Sequence, residues 1–286
     1  MRTIETVPDT AGIVLAGGRS SRMGTPKAAL EWHGSTLLRR TAGILSRATD
    51  GPVVVVRAPG QALPPLPPGT DVVDDPREGL GPVQGIAAGL AALAGRAEIA
   101  FVSSTDMPFL HPAFVRRVLR AAQDGADVGL PVARGYPQPL AAAYRTALAP
   151  LAGKLVAAQR LRPAFLFDEC AVTRLDEKAL RADPVLAALD PGLDSVVNIN
   201  EPAEYAAARA RPGPEVTVQR FGTLADGHRG PRPVRAATVA AAAAATGLDL
   251  GGHVVAALNG DQITRDWQTP LATGDTVFFL PADAGD

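Results

Sequence analysis

The chain has 286 residues, which exceeds a typical single domain and predicts one large domain and one small one. Its formal net charge of −1 gives no electrostatic reason to expect nucleic acid or an anionic membrane as a partner. The sequence has no apolar span of about 18 residues, and the single cysteine, Cys170, excludes an internal disulfide and suits a reducing cytosol. We therefore expect a soluble, cytoplasmic protein.

The most informative stretch is residues 12–30, GIVLAGGRSSRMGTPKAAL. It begins as an apolar strand, breaks at Gly17 and Gly18, and resumes as a segment with helical character. Glycines let a backbone approach a phosphate closely, and successive N–H groups beside a helix N-terminus form an anion nest. The stretch also carries three basic side chains, Arg19, Arg22 and Lys27. It therefore predicts a strand, an anion-holding loop and a helix.

Helical and strand patterns alternate from this stretch to about Arg211. Apolar residues at helical spacing predict helices, and short β-branched runs predict strands covered on both faces. The predicted helices are Thr36–Arg47, Gly85–Leu93, Phe114–Ala122, Leu148–Arg160 and Ala203–Ala210, and the predicted strands are Val53–Val56, Val72–Val73, Ile99–Val102, Asp127–Val132 and Val172–Leu175. Such alternation predicts an α/β fold with a doubly wound, mainly parallel sheet.

One acidic residue stands where such a fold places ligands. Asp106 follows the predicted strand Ile99–Val102 in the segment SSTDMPFL. Open α/β sheets bind ligands just beyond the carboxyl ends of their strands, so Asp106 is a candidate metal ligand. An aspartate at a strand end can also be a turn former or a helix cap.

The stretch 12–30 fits neither the P-loop nor the GxGxxG fingerprint. It resembles the signature LAGGxSxRMGxxK of sugar-nucleotide-type nucleotidyltransferases, and within them it is most similar to the molybdenum-cofactor guanylyltransferases. Three later features resemble the same family. They are Asp75 with the glycine turn at Gly81, the D-x-P-F-L box that starts at Asp106, and the N-x-N-x-P box that contains Asn198 and Asn200.

This resemblance implies transfer of GMP from GTP to the phosphate of molybdopterin, or of its molybdenum form, with Mg²⁺ as cofactor and pyrophosphate as product. It implies catalytic roles for Lys27, Asp106 and Arg22, and a metal site formed by Asp106 and Asn200. The residues that it assigns to the nucleotide are Leu15, Ala16, Gly17, Gly18, Arg19, Lys27, Asp75, Gly81 and Asp106.

Alternatives remain open at this stage. Cytidylyltransferases of the same cofactor tend to carry LAAG, so the LAGG sequence with Gly17 favours guanine. The guanylyltransferase pattern, however, can carry an asparagine where this chain has Arg57. The other candidates are a cytidylyltransferase, a nucleotidyltransferase with another phosphorylated acceptor, and a non-catalytic nucleotide-binding protein that docks to partners.

The segment Arg211–Pro214 predicts a linker between a nucleotidyltransferase domain, residues 1–211, and a second domain, residues 215–286. The second domain is predicted to contain a strand over Glu215–Gly222, a turn over Asp226–Pro233 and a helix over Ala236–Thr246. Two further strands are predicted at His253–Leu258, closed by an Asn-Gly hairpin turn, and at Thr276–Leu280. This order predicts a small α+β domain of the β-grasp (ubiquitin-like) type.

The segments VTVQRFG, VVAALNG and PLATGDTVFFLP resemble the sulfur-carrier small subunit of molybdopterin synthase. Those carriers end in Gly-Gly, whereas this sequence ends in Ala-Gly-Asp, with Asp286 last. We therefore expect this domain to dock to other cofactor-synthesis proteins rather than to carry sulfur.

Overall fold

A computed structural model of the chain describes residues 7–17, 26–77, 79–225 and 230–282. Its contacts divide the chain into two compact units. The larger lies within Thr6–Leu30 and Thr36–Tyr205, and the smaller contains Glu31–Ser35 and the residues from Ala206 onward. This division falls a few residues before the predicted linker, so the boundary at residues 211–215 stays a prediction.

Strands and helices alternate from residue 7 to residue 209, as the sequence predicts. Up to residue 209 the strands are β1 (Thr10–Leu15), β2 (Glu31–Trp32), β3 (Ser35–Thr36), β4 (Val53–Arg57), β5 (Thr70–Asp74), β6 (Ile99–Ser104), β7 (Val128–Ala133), β8 (Tyr136–Pro137), β9 (Ala141–Arg145) and β10 (Val172–Leu175). The helices are α1 (Leu37–Ala48), α2 (Pro82–Ala92), α3 (Pro112–Gln123), α4 (Ala149–Ala157), α5 (Pro163–Phe167), α6 (Glu177–Arg181), α7 (Pro184–Leu189) and α8 (Pro202–Arg209). The sequence did not predict α5, α6 and α7, because helices of five or six residues are too short to show an amphipathic period.

The main sheet has the strand order β10-β7-β9-β6-β1-β4-β5, with β8 paired to β7. Strands β6, β1, β4 and β5 are parallel, and β10 is parallel to β7. Strand β9 is antiparallel to both β6 and β7, which the sequence analysis did not predict. Residues 134–140 are too few for the crossover that a parallel return would need, so β9 comes back in the opposite direction. The predicted α/β fold with a mainly parallel sheet is confirmed, and the antiparallel β9 makes the sheet mixed.

Strand β1 lies in the middle of this sheet with a helix packed closely on each face. A Cβ atom added to Gly12 would lie 2.8 Å from Leu45 Cβ of α1, and one added to Gly89 of α2 would lie 2.7 Å from Ile13 Cγ2. Because Gly12 and Ile13 are consecutive in a strand, they face opposite sides of the sheet. Glycine at these two positions therefore sets how near α1 and α2 approach β1.

The segment after the glycine pair differs from its prediction. The only regular structure within residues 26–30 is a 3₁₀ turn at Lys27–Ala29, after which Leu30 is already extended. A helix over the end of the stretch 12–30 was therefore wrong for these residues, because the backbone is not helical at Pro26 (ψ 125°) and is extended at Leu30 (ψ 131°). Residues 18–25 lie outside the described part of the chain.

The smaller unit contains β11 (Glu215–Arg220), β12 (Arg232–Arg235), α9 (Val239–Ala245), β13 (Val254–Leu258), β14 (Gln262–Thr264) and β15 (Thr276–Pro281). Its sheet has the order β12-β11-β15-β13-β14. Strands β11 and β15 are parallel, and the other neighbours are antiparallel. Alanines of α9 pack on this sheet in an apolar core with Val218 and Phe279.

Two details of the smaller unit bear on its predicted turns. Asn259 and Gly260 have φ values of 53° and 97° between the antiparallel strands β13 and β14, which confirms the Asn-Gly hairpin. Arg232 and Pro233 belong to strand β12, so a turn reaching Pro233 was wrong. Proline is tolerated there because β12 is an edge strand.

Among the described residues, no helix is long and apolar enough to cross a membrane.

Candidate functional site

A cleft of about 500 Å³ lies where β1, β4 and β6 end and α2 begins. Seven of the predicted site residues line it: Leu15, Ala16, Gly17, Lys27, Asp75, Gly81 and Asp106. The volume is in the range of small-molecule sites, and the carboxyl edge of a parallel sheet is where such sites form. The other predicted residues of the loop, Gly18, Arg19 and Arg22, lie outside the described residues.

A cation, a carboxylate and an amide meet in the larger unit, beside this cleft. Lys27 Nζ donates to Asp106 Oδ2 at 3.0 Å and to Asn200 Oδ1 at 2.9 Å. The Lys27 and Asp106 side chains are only 20% and 19% exposed, so their charges are partly shielded from water. The Ser104 hydroxyl donates to the other oxygen of Asp106. The structure thus brings together three residues that are distant in the sequence.

Backbone contacts from neighbouring segments hold Asp106 and Asn200 in place. The Ile199 N–H donates to the Asp106 carbonyl at 2.9 Å, which ties the segment before Asn200 to the end of β6. Arg40 Nε of α1 donates to the Pro108 carbonyl at 2.5 Å, although Arg40 is itself buried. The loop that carries Asp106 is therefore anchored from two sides.

Glu204 fixes Asn200, and the sequence analysis missed it. Its carboxylate accepts the N–H groups of Asn200 and Glu201 at 2.6 and 3.1 Å. These backbone hydrogen bonds lower the pKa of Glu204 from its ordinary 4.5. The available signal was a glutamate in the first turn of a helix that begins at Pro202, which is typical of a capping box. Asn198, in the same predicted box, is exposed.

Asp75 lies half-buried in the cleft lining, just after β5. Burial raises the pKa of its carboxyl, and hydrogen bonds from the Arg77 N–H and the Gln84 side chain oppose that shift. Its own N–H donates to the Arg57 carbonyl at 2.7 Å, so its position is fixed relative to the end of β4. A helix begins close by, because Gly81 adopts a φ of 76° and Pro82 occupies the first turn of α2.

The loop edge at Ala16 and Gly17 differs from the predicted anion nest. Both N–H groups donate to the Val56 carbonyl, at 2.8 and 3.3 Å, so they are already engaged. The other loop residues of the predicted nest lie outside the described part of the chain. Gly17 has a packing role as well, because a Cβ added there would lie 3.2 Å from the Ala58 nitrogen.

The side chains near Lys27 are suited to a hard divalent cation. Asp106 and Asn200 supply oxygen donors, the ligands that Mg²⁺ prefers. Among the described residues, no three His, Cys, Asp or Glu side chains form a group that could hold a metal. Mg²⁺ is commonly held by one or two carboxylates together with substrate phosphates, so this donor set fits it.

A cleft with glycine turns and a lysine–carboxylate pair, at the carboxyl edge of a mainly parallel sheet, is typical of a nucleotide-binding α/β protein. Residues 12–171, more than half of the chain, match the family model described as the MobA-like NTP transferase domain. The chain therefore belongs to the MobA-like NTP transferase family.

Curated relatives and a solved structure agree with this assignment. A probable molybdenum cofactor guanylyltransferase of Mycobacterium bovis is 42% identical over 178 residues, which cover 60% of this chain and 87% of the relative. One from Mycobacterium ulcerans is 40% identical over 169 residues, or 58% and 82% of the two chains. The crystal structure of the molybdopterin-guanine dinucleotide biosynthesis protein A from Archaeoglobus fulgidus has a TM-score of 0.56 at 22% identity. It covers 70% of this chain and 96% of that one, and it supports the fold.

Proposed function

We propose that this chain transfers GMP from GTP to molybdopterin, or to its molybdenum form, and releases pyrophosphate. The observation that carries the proposal is the contact of Lys27 with Asp106 and Asn200 beside a cleft lined by the predicted nucleotide residues. Guanine and the pterin acceptor are supported by the names of the curated relatives.

The reaction requires little covalent work from the protein. A phosphate oxygen of the acceptor attacks the α-phosphorus of GTP and forms a new P–O bond. The bond from the α-phosphorus to the oxygen shared with the β-phosphate breaks, and its electron pair leaves with pyrophosphate. Positioning and neutralisation of phosphate charge therefore dominate the rate.

We assign the charged residues as follows. The Lys27 ammonium neutralises phosphate oxygens, and Asp75 contacts the nucleoside. Asp106 and Asn200 would hold Mg²⁺, which when bound offsets the negative charge of the phosphates. Ser104 orients the Asp106 carboxylate, and Glu204 keeps Asn200 in place. Arg22 and the loop from Gly18 to Arg19 are assigned to the phosphates by resemblance alone.

For residues 215–286 we propose a β-grasp domain that docks to other cofactor-synthesis proteins. Its support is the strand order in which β11 and β15 lie side by side in parallel, with α9 between them in the chain. The tail at 283–286 lies outside the described residues. Intact-mass analysis after incubation with a molybdopterin-synthase activating enzyme, ATP and a sulfur donor tests this role. We expect no replacement of oxygen by sulfur, and such a replacement would restore the carrier role.

The activity is tested with the full chain, molybdopterin, Mg²⁺ and each of the four nucleoside triphosphates. We expect pyrophosphate release with GTP and a product whose mass equals the pterin plus GMP. Turnover with CTP instead would favour a cytidylyltransferase. Binding of GTP without release of pyrophosphate would favour the non-catalytic docking protein.

A further inference from the structure

The side chain of Gln61 joins two loops that border the cleft. Its Nε2 donates to the Ala16 carbonyl at 3.0 Å, and its Oε1 accepts the Ala58 N–H at 3.0 Å. Ala16 follows β1 and Ala58 follows β4, and both line the cleft. One amide group thus connects the carboxyl ends of two neighbouring strands.

The backbone of Gln61 is held as firmly as its side chain. Its N–H donates to the Ala58 carbonyl at 3.0 Å, which closes a turn. Its carbonyl accepts Arg57 Nη1 at 3.1 Å, while Arg57 Nε donates to Asp74 at 2.7 Å. The amide is therefore presented to Ala16 and Ala58 from a braced segment.

These bonds add to the backbone hydrogen bonds of the cleft edge. The N–H groups of Ala16 and Gly17 already donate to Val56, so the Ala16 carbonyl and the Ala58 N–H are the groups that Gln61 adds. The two loops also approach each other closely, because a Cβ atom added to Gly17 would lie only 3.2 Å from the Ala58 nitrogen. The orientation of both loops therefore depends on the Gln61 amide.

We infer that Gln61 is a positioning residue that holds the Ala16 and Ala58 edge of the cleft in the orientation that binds a nucleoside triphosphate. The inference rests on the proposed function, which places the nucleotide in this cleft. Gln61 acts through Ala16 and Ala58. Lys27 and Asp106 are held by other contacts, so the chemical step does not depend on it.

Two variants of the full chain test this role. Gln61→Ala removes both side-chain hydrogen bonds. From the net free energy of two hydrogen bonds, we expect the dissociation constant for GTP to rise about tenfold. Gln61→Glu keeps an acceptor for Ala58 but sets a carboxylate oxygen against the Ala16 carbonyl, so we expect a loss at least as large. In both variants KM for GTP should rise while kcat at saturating GTP stays within about twofold of wild type.

Gln123→Ala is a matched control. Gln123 Nε2 donates to the Pro8 carbonyl at 3.0 Å, which is the same kind of bond at the opposite end of β1. Its loss should leave the dissociation constant for GTP unchanged. Titration calorimetry gives the dissociation constants, and thermal unfolding gives Tm for all variants.

The outcomes separate the two hypotheses. Gln61 variants with a lowered Tm and an unchanged dissociation constant for GTP would overturn the positioning role, as would a loss of GTP affinity in the Gln123 control equal to theirs. A wild-type chain that binds no GTP would overturn the proposed function together with this inference. Wild-type binding with unchanged binding by both Gln61 variants would refute the role of Gln61 alone.

Discussion

Replacing Asp106 by asparagine separates the charge of this side chain from its shape. In the wild-type protein, Lys27 Nζ lies 3.0 Å from Asp106 Oδ2. The Asn side chain keeps an oxygen at this position and turns its NH₂ group toward Ser104. The Ser104 hydroxyl can reverse and accept, whereas the Lys27 ammonium can only donate. The packing is therefore retained, and the main loss is the negative charge beside Lys27 and at the proposed metal site.

The expected stability change is small, and the expected rate change is large. A charge-assisted hydrogen bond contributes about 1.5–3 kcal/mol, and Asn recovers part of it, so we expect a loss of about 1–2 kcal/mol. For a chain of this size that corresponds to a fall in Tm of roughly 2–8 °C. Loss of a ligand to a charge-neutralising cation costs several kcal/mol in the transition state, or on the order of a thousandfold in rate.

The assay is pyrophosphate release at saturating GTP, molybdopterin and Mg²⁺, with Tm measured on the same samples. Asp194→Asn is the control, because Asp194 forms an ion pair with Arg134 at 2.9 Å and is not among the residues that line the cleft. It should lose little activity. An Asp106→Asn variant that keeps more than about a tenth of wild-type turnover would refute the metal-ligand assignment.

Three further predictions concern the same cleft. Lys27→Ala should reduce turnover far more than stability, and Lys27→Arg should restore only part of it, because a planar guanidinium does not replace a compact ammonium; equal turnover in all three proteins would contradict the phosphate role. In Gly17→Ala, the new Cβ would lie 3.2 Å from the Ala58 nitrogen and should force that nitrogen to move. We expect the ratio of kcat/KM for GTP to kcat/KM for CTP to fall. An unchanged ratio would show that the choice of base does not depend on the spacing between Gly17 and Ala58. Because the pKa of Glu204 is lowered, its stabilising effect is present above its ordinary 4.5 and is lost as pH falls through the lowered value. Urea unfolding should therefore show Glu204→Gln to be less stable than wild type at pH 7, and this difference should disappear as pH falls through the lowered pKa of Glu204. A difference in stability that is the same at pH 7 and in acid would refute this linkage.

Sequence patterns predicted the elements that are long and strongly apolar. The β-branched run Val53–Val56 is a buried strand. The helix predicted over Thr36–Arg47 is α1 (Leu37–Ala48), and Thr36 is its N-cap. Asp106 could be placed at a strand end by pattern, but its contact with Lys27 depends on a tertiary fold that brings together residues far apart in the chain. Only the family resemblance linked them beforehand.

The supporting contacts could not be predicted in this way. Gln61 lies in a proline-rich loop, where no periodic pattern says which way a side chain turns. The engagement of the Ala16 and Gly17 N–H groups depends on the register between β1 and β4, which a single sequence does not encode locally. The reversal of β9 depends on the short connection at residues 134–140, and the strand patterns on either side of it carry no information on strand direction.

The shape of the cleft depends on Gly89, which is not among the residues that line it, because Gly89 packs closely against Ile13. Helix α2 begins at Pro82, seven residues or about 10 Å before Gly89, and its first turn forms part of the cleft wall. A side chain at position 89 would act as a wedge at the middle of the helix and tilt its opening turn away from β1. A mutational scan would then identify Gly89 as essential for activity, although its role is to allow the close spacing between α2 and β1.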